Sequence, residues 1–189
     1  MSVVLRPDAS ASHTIGRLTS EAMAVAGEGH WPTGAVATSH FTVRALERHR
    51  SLVPDGDIRT ARYMAALRKA SAGIGTVRLA LKGLTLAPGG IMVCAHPQDD
   101  AIDRLAGSFA DTLGDDGWYE AEFERTVWYS TLVHFTEQLH SPQAVVDWVS
   151  ARRELDLGSV QSSQADLVVY RYNGTGMGVE TLAAVPLDH

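Results

Sequence analysis

Two stretches decide how this chain is read: Val36-Ala37-Thr38-Ser39-His40-Phe41-Thr42-Val43, and Val127-Trp128-Tyr129-Ser130-Thr131-Leu132-Val133-His134-Phe135-Thr136-Glu137. Each has β-strand character, and each closes on the same tripeptide, His-Phe-Thr. Along a strand, residues i and i+2 share a face about 6–7 Å apart. His40 and Thr42 are therefore expected on one face and Phe41 in the core behind them. His134, Thr136 and Phe135 repeat that arrangement. The chain offers two imidazole–hydroxyl pairs, each anchored by a buried aromatic ring.

Eight histidines in 189 residues would meet a threonine two places on about 0.6 times by chance, so the pairs alone are a weak signal. The identical central Phe and the matching strand context strengthen it. The surrounding order of elements strengthens it further.

Outward from these stretches, Val3–Leu5 reads as a strand stopped by Pro7. Ile15, Leu18, Ala22 and Val25 share one face of a helix that Gly27 and Gly29 end. Trp31-Pro32-Thr33-Gly34 is a turn leading into the first His-Phe-Thr strand. Asp57 is positioned to cap a helix over 58–72, closed by Gly73 and Gly75. Residues 76–95 read as a hairpin turning at Pro88-Gly89-Gly90. Ile102, Leu105, Phe109 and Leu113 line a further helix, which begins near Asp99 or Asp100 and which Gly114-Asp115-Asp116-Gly117 breaks. The second His-Phe-Thr strand starts near residue 126. Ser141-Pro142 opens a helix to about Leu155, with Val145, Trp148 and Val149 inward. Asp166–Tyr172 and Val179–Pro186 form a last hairpin around Asn173-Gly174-Thr175-Gly176, which lacks the spacing and the following helix of a phosphate loop. The two His-strands lie 94 residues apart (134 − 40) in a duplicated α+β pattern. No linker divides it, so 1–189 is expected to be a single domain of two pseudo-symmetric lobes.

Composition sets the outer bounds. The chain is 45% hydrophobic and 20% charged, ordinary for a globular protein. A formal net charge of −6 argues against coating extended duplex nucleic acid, which needs many phosphate-neutralising cations. A small phosphorylated ligand in a locally positive cleft is compatible with it. The single Cys94, in an apolar run, precludes an internal disulfide and suits a reducing compartment. No signal peptide and no run of about 18–20 apolar residues is present, so a cytoplasmic protein without membrane association is expected.

The quoted residues resemble the two-histidine (2H) phosphoesterase superfamily, which includes the 2'-5' RNA ligase-like proteins and cyclic nucleotide phosphodiesterases. Its signature is a pair of His-x-Thr/Ser-apolar motifs half a chain apart, on strands facing a central cleft. Here they are His40-Phe41-Thr42-Val43 and His134-Phe135-Thr136-Glu137. The resemblance spans nearly the whole chain. Its one departure is Glu137 in place of an apolar residue. Alternation would point that carboxylate into the core, so the strand is expected to end or bulge there.

The resemblance implies an α+β fold with antiparallel sheets flanked by helices around the cleft. It also implies a cyclic phosphodiesterase or 2'-5' RNA ligase-like hydrolase without cofactor or metal. His40 and His134 would be the acid–base pair, and Thr42 and Thr136 donors to the substrate phosphate. The substrate would be a small nucleotide or an RNA terminus, and the protein a monomer. A catalytically silent 2H domain that binds nucleotides or RNA ends is the alternative. Two histidines are too few for zinc, and no HExxH set is present. Arg44 shares the face of His40 and Thr42 if the strand continues, and would then bind phosphate or be a solvated strand-end arginine. Trp128 shares the face of His134, for stacking on a base or for core packing.

Overall fold

The structure, a computed structural model, describes residues 1–123 and 125–187. The first strand, β1 (Ser2–Leu5), is buried along its whole length because it is paired on both edges, with β2 (Phe41–Ala45) and β7 (Gln164–Tyr172). β8 (Met177–Pro186) completes an antiparallel sheet in the order β2-β1-β7-β8. A second antiparallel sheet has the order β5-β4-β3-β6, from β3 (Val77–Ala87), β4 (Gly90–Pro97), β5 (Trp128–His134) and β6 (Asp156–Ser162). The fold is α+β.

Among the described residues four α-helices cover the sheets, and each begins where the sequence puts a start signal. The Asp8 carboxylate accepts from the Ala11 amide at 3.1 Å and opens α1 (Ala9–Ala26). Asp57 accepts from the Thr60 amide at 2.8 Å and opens α2 (Ile58–Ser71). Its carboxyl is held well below the usual range, first by the Arg50 guanidinium 2.7 Å away and then by the Thr60 amide. Asp99 accepts from the Ala101 amide, and α3 (Ala101–Leu113) buries Ile102, Leu105, Phe109 and Leu113. Pro142 starts α4 (Pro142–Ser150), although Ser141 makes no side-chain capping bond. Among the described residues no helix is long and apolar enough to cross a membrane.

The lobes are not consecutive halves of the chain. The first sheet takes β1 and β2 from one end and β7 and β8 from the other. The helix α1 leaves that sheet and packs over β5 and β6 beside α4, while α2 packs on β7 and β8.

Three expectations need correction. Val36, Ala37 and Thr38, expected in strand, are turn, because the local hydroxyl bonds a local carbonyl: Thr38 Oγ1 donates to the Thr33 carbonyl at 2.8 Å. The strand β2 therefore starts after His40, and β5 stops at His134, leaving Phe135 and Thr136 beyond it. The last helix ends at Ser150, and the polar edge strand β6 escapes notice because few of its residues are buried.

Gly34 fixes how closely the 29–40 segment approaches β5. Its amide donates to the Leu132 carbonyl at 2.9 Å, and an added Cβ would meet Thr19 Oγ1, Leu132 Cα at 2.9 Å and the Thr131 carbonyl at 3.0 Å. Gly34→Ala is expected to destabilise the protein by about 1–3 kcal/mol, read from urea unfolding midpoints. An unchanged midpoint would count against this close approach.

Candidate functional site

The second motif is held from outside its own sheet. Past the helix end at Gly27, residues 29–34 run antiparallel to the end of β5. The Trp31 amide donates to the His134 carbonyl at 3.0 Å, and the His134 amide returns a bond to the Trp31 carbonyl at 2.9 Å. The Trp31 ring stacks on the His134 imidazole, with centroids 5.6 Å apart and planes 25° apart. His30 is buried, T-shaped to the Phe135 ring with centroids 5.3 Å apart, and its Nδ1 accepts from the Thr136 amide at 3.4 Å. Thr136 donates its hydroxyl to the Gly29 carbonyl.

The same segment continues to the first motif. His40 Nδ1 lies 2.7 Å from the Thr38 carbonyl, which only accepts, so Nδ1 carries the proton. Burial pushes the imidazole below its ordinary value. Arg6 adds to that shift, and the Thr38 carbonyl opposes it. His40 is thus a neutral imidazole whose free lone pair is on Nε2, facing the Tyr170 hydroxyl at 3.2 Å. Arg6 holds the segment between them by donating to the Ala37 carbonyl.

Both imidazoles open into one cavity of about 320 Å³, with Trp31, Thr33, Tyr170 and Met177 in its walls. Glu47, His49 and Arg50 also line it, with the Arg50 guanidinium paired to Glu47 at 3.0 Å and to Asp57 at 2.7 Å. A larger cavity, about 680 Å³ between Arg44, Asp111 and Trp118, contains neither histidine. Among the described residues no three His, Cys, Asp or Glu side chains converge as a metal-ligand set.

The remaining residues singled out in the sequence divide. Thr42 lies half-buried in β2 beside the Tyr170 hydroxyl. Thr136 does not share a face with His134, because the strand ends between them and its hydroxyl is committed to Gly29. Arg44 turns away from His40. Val43 is an extra residue between the Val4–Thr42 and Val3–Arg44 pairs, and such a bulge breaks the alternation. The Arg44 guanidinium instead donates to the Gly117 and Glu120 carbonyls, each at 3.0 Å. Trp128 is 4% exposed and donates its indole N–H to Asp103, so it packs in the core and offers no stacking face to the cavity. Glu137 is exposed past the end of β5, as its place in the motif required. Tyr170, Trp31 and Arg6 escaped the sequence reading, since each owes its place to a partner far away in the chain.

No protein-family model matches this sequence, and no curated protein is similar to it. Solved structures are similar in fold. TT0787 of Thermus thermophilus superposes with a TM-score of 0.70 at 13% identity, covering 98% of this chain and 96% of that one. A crystal structure described as a phosphoesterase gives 0.69 at 12% identity, covering 100% and 97%. E. coli LigT in complex with 3'-AMP gives 0.66 at 10% identity, covering 98% and 96%. The fold is shared with these solved structures over nearly the whole chain. In this fold both motif histidines, His40 just before β2 and His134 at the end of β5, line one cavity.

The lowered His40 value couples to stability. The unfolded chain takes up a proton near the ordinary value of 6.5 that the folded chain resists, so this site costs stability as pH falls below 6.5. His40→Gln is expected to lose less stability than wild type between about pH 7 and pH 5 in urea unfolding. Equal losses would show that His40 is not held neutral.

Proposed function

We propose that this chain is a metal-independent phosphodiesterase that opens 2',3'-cyclic phosphate or 2'-5' phosphodiester bonds of nucleotides or RNA ends. The observation that carries this reading is the single cavity reached by both imidazoles, with the His40 proton on Nδ1 and its lone pair on Nε2. A neutral, desolvated imidazole suits the base that takes a proton from the attacking water. His134, from the opposite sheet, suits the acid that protonates the departing ribose oxygen. A volume of about 320 Å³ fits a small ligand, and LigT's complexes with 3'-AMP and with phosphate support the substrate class. The net charge of −6 favours a nucleotide or an RNA terminus over extended duplex. The protein would act in the cytoplasm as a monomer.

A second reading, a silent 2H domain that binds nucleotides or RNA ends, is favoured by one feature. The Thr136 hydroxyl is spent on Gly29 and does not face the cavity.

The test is turnover of 2',3'-cyclic nucleotides, 2'-5' dinucleotides and cyclic-ended oligoribonucleotides in the presence of EDTA. Activity is expected to persist, with a bell-shaped pH profile whose acid limb lies below 6.5, the ordinary imidazole value. His40→Ala and His134→Ala should each lose about 10²–10⁴-fold in kcat while remaining folded. Full activity in either variant would remove the mechanism. Binding without turnover by wild type would favour the silent domain.

A further inference from the structure

The 2H signature provides two hydroxyl donors, and in this chain one of them is turned aside. Thr136 donates to the Gly29 carbonyl beyond the end of β5. The cavity nevertheless holds another hydroxyl. Tyr170, on β7, lines it and lies 3.2 Å from His40 Nε2. Because Thr38 holds the ring proton on Nδ1, Nε2 has only a lone pair, and the phenol must be the donor in that contact.

We propose that Tyr170 is a catalytic residue: its O–H rests on His40 Nε2 in the free protein and passes to a non-bridging phosphate oxygen during the reaction. This rests on the phosphodiesterase reading. When Nε2 takes a proton from the attacking water, it becomes an N–H and can no longer accept from the phenol. The water oxygen forms a bond to phosphorus, and the phosphorus–ribose oxygen bond breaks. His134 gives its proton to that oxygen, and Tyr170 keeps its own. The attacking water takes the phenol's place on the single Nε2 lone pair as it docks, which frees the O–H for a non-bridging phosphate oxygen. That hydrogen bond strengthens as charge grows on the phosphoryl oxygens in the transition state, the kind of interaction that raises kcat. The phenol stays protonated. Burial raises its pKa, and that outweighs the opposing side chains of Ser2 and Thr42 and the charges of Arg6 and Arg125.

The test is Tyr170→Phe, assayed on a 2',3'-cyclic nucleotide beside wild type and His40→Ala. The variant should lose about 10²–10³-fold in kcat, the usual loss for one oxyanion donor, with KM changed by less than about threefold. Its acid limb should also move to higher pH, because the hydrogen bond that adds to burial and Arg6 in favouring the neutral imidazole is gone. A purely structural tyrosine would produce neither the selective kcat loss nor the limb shift. Tyr170→Phe turning over within about threefold of wild type, with His40→Ala inactive, would overturn the proposal and leave the phosphodiesterase reading standing. No turnover by wild type would take down both. If Tyr170→Phe fails to fold by circular dichroism, 3,5-difluorotyrosine at position 170 keeps the ring and its hydroxyl but ionises more readily. Its kcat relative to wild type should then fall as pH rises and the phenol ionises, and a ratio independent of pH would overturn the proposal.

Discussion

The two hydrogen bonds between the backbones of Trp31 and His134, at 3.0 and 2.9 Å, are the constraint on which the rest of the site depends. Together they attach the segment leaving α1 to the end of β5, in the other sheet. Residues 29–34 must then lie flat on β5, and at Gly34 the backbones come too close for a side chain. From there the chain has only six residues in which to reach His40. It does so through turns whose carbonyls at Ala37 and Thr38 hold Arg6 and the His40 ring. One short segment thus positions both histidines, which accounts for their opening into the same cavity.

The exchange of α1 reinforces this attachment. The helix α3 already bridges the sheets by packing on β2 and β3 and against α2, and α1 adds a second tie. Here α1 covers β5 and β6 and lies against α4, so separating the sheets would expose Ile15, Leu18 and Ala22 to water. Burial of apolar area on this scale stabilises by about 25 cal/mol per Å². The cavity wall is correspondingly well supported, as preorganised electrostatic chemistry needs. Arg6 contributes in the same place, tying the turn before His40 and keeping a positive charge near it.

Much of this is legible along the chain. The caps at Asp57 and Asp99, the buried face of α3 and both hairpins follow from local rules, since each depends on residues within a few positions of one another. So does the pairing of His40 with His134, because the repeated tripeptide carries its own sign. The polar strand β6 does not, because an edge strand with little burial lacks the hydrophobic alternation that marks a strand.

What the sequence by itself determined is the order of the elements other than β6, the α+β class and the two motif histidines that line one cavity. Only the tertiary structure decided which side chains join them. Alternation would put Arg44 beside His40, but a bulge at Val43, set by pairing with β1, rotates it toward Gly117 and Glu120. Alternation would likewise put Thr136 beside His134, but the Gly29 carbonyl, 107 residues earlier, takes its hydroxyl. Tyr170 reaches His40 from 130 residues away because β7 pairs with β1 in the middle of the first sheet. Periodicity states which way a residue faces within its own element. The partner it meets there depends on which distant segment packs against that face, and the local pattern carries no record of it.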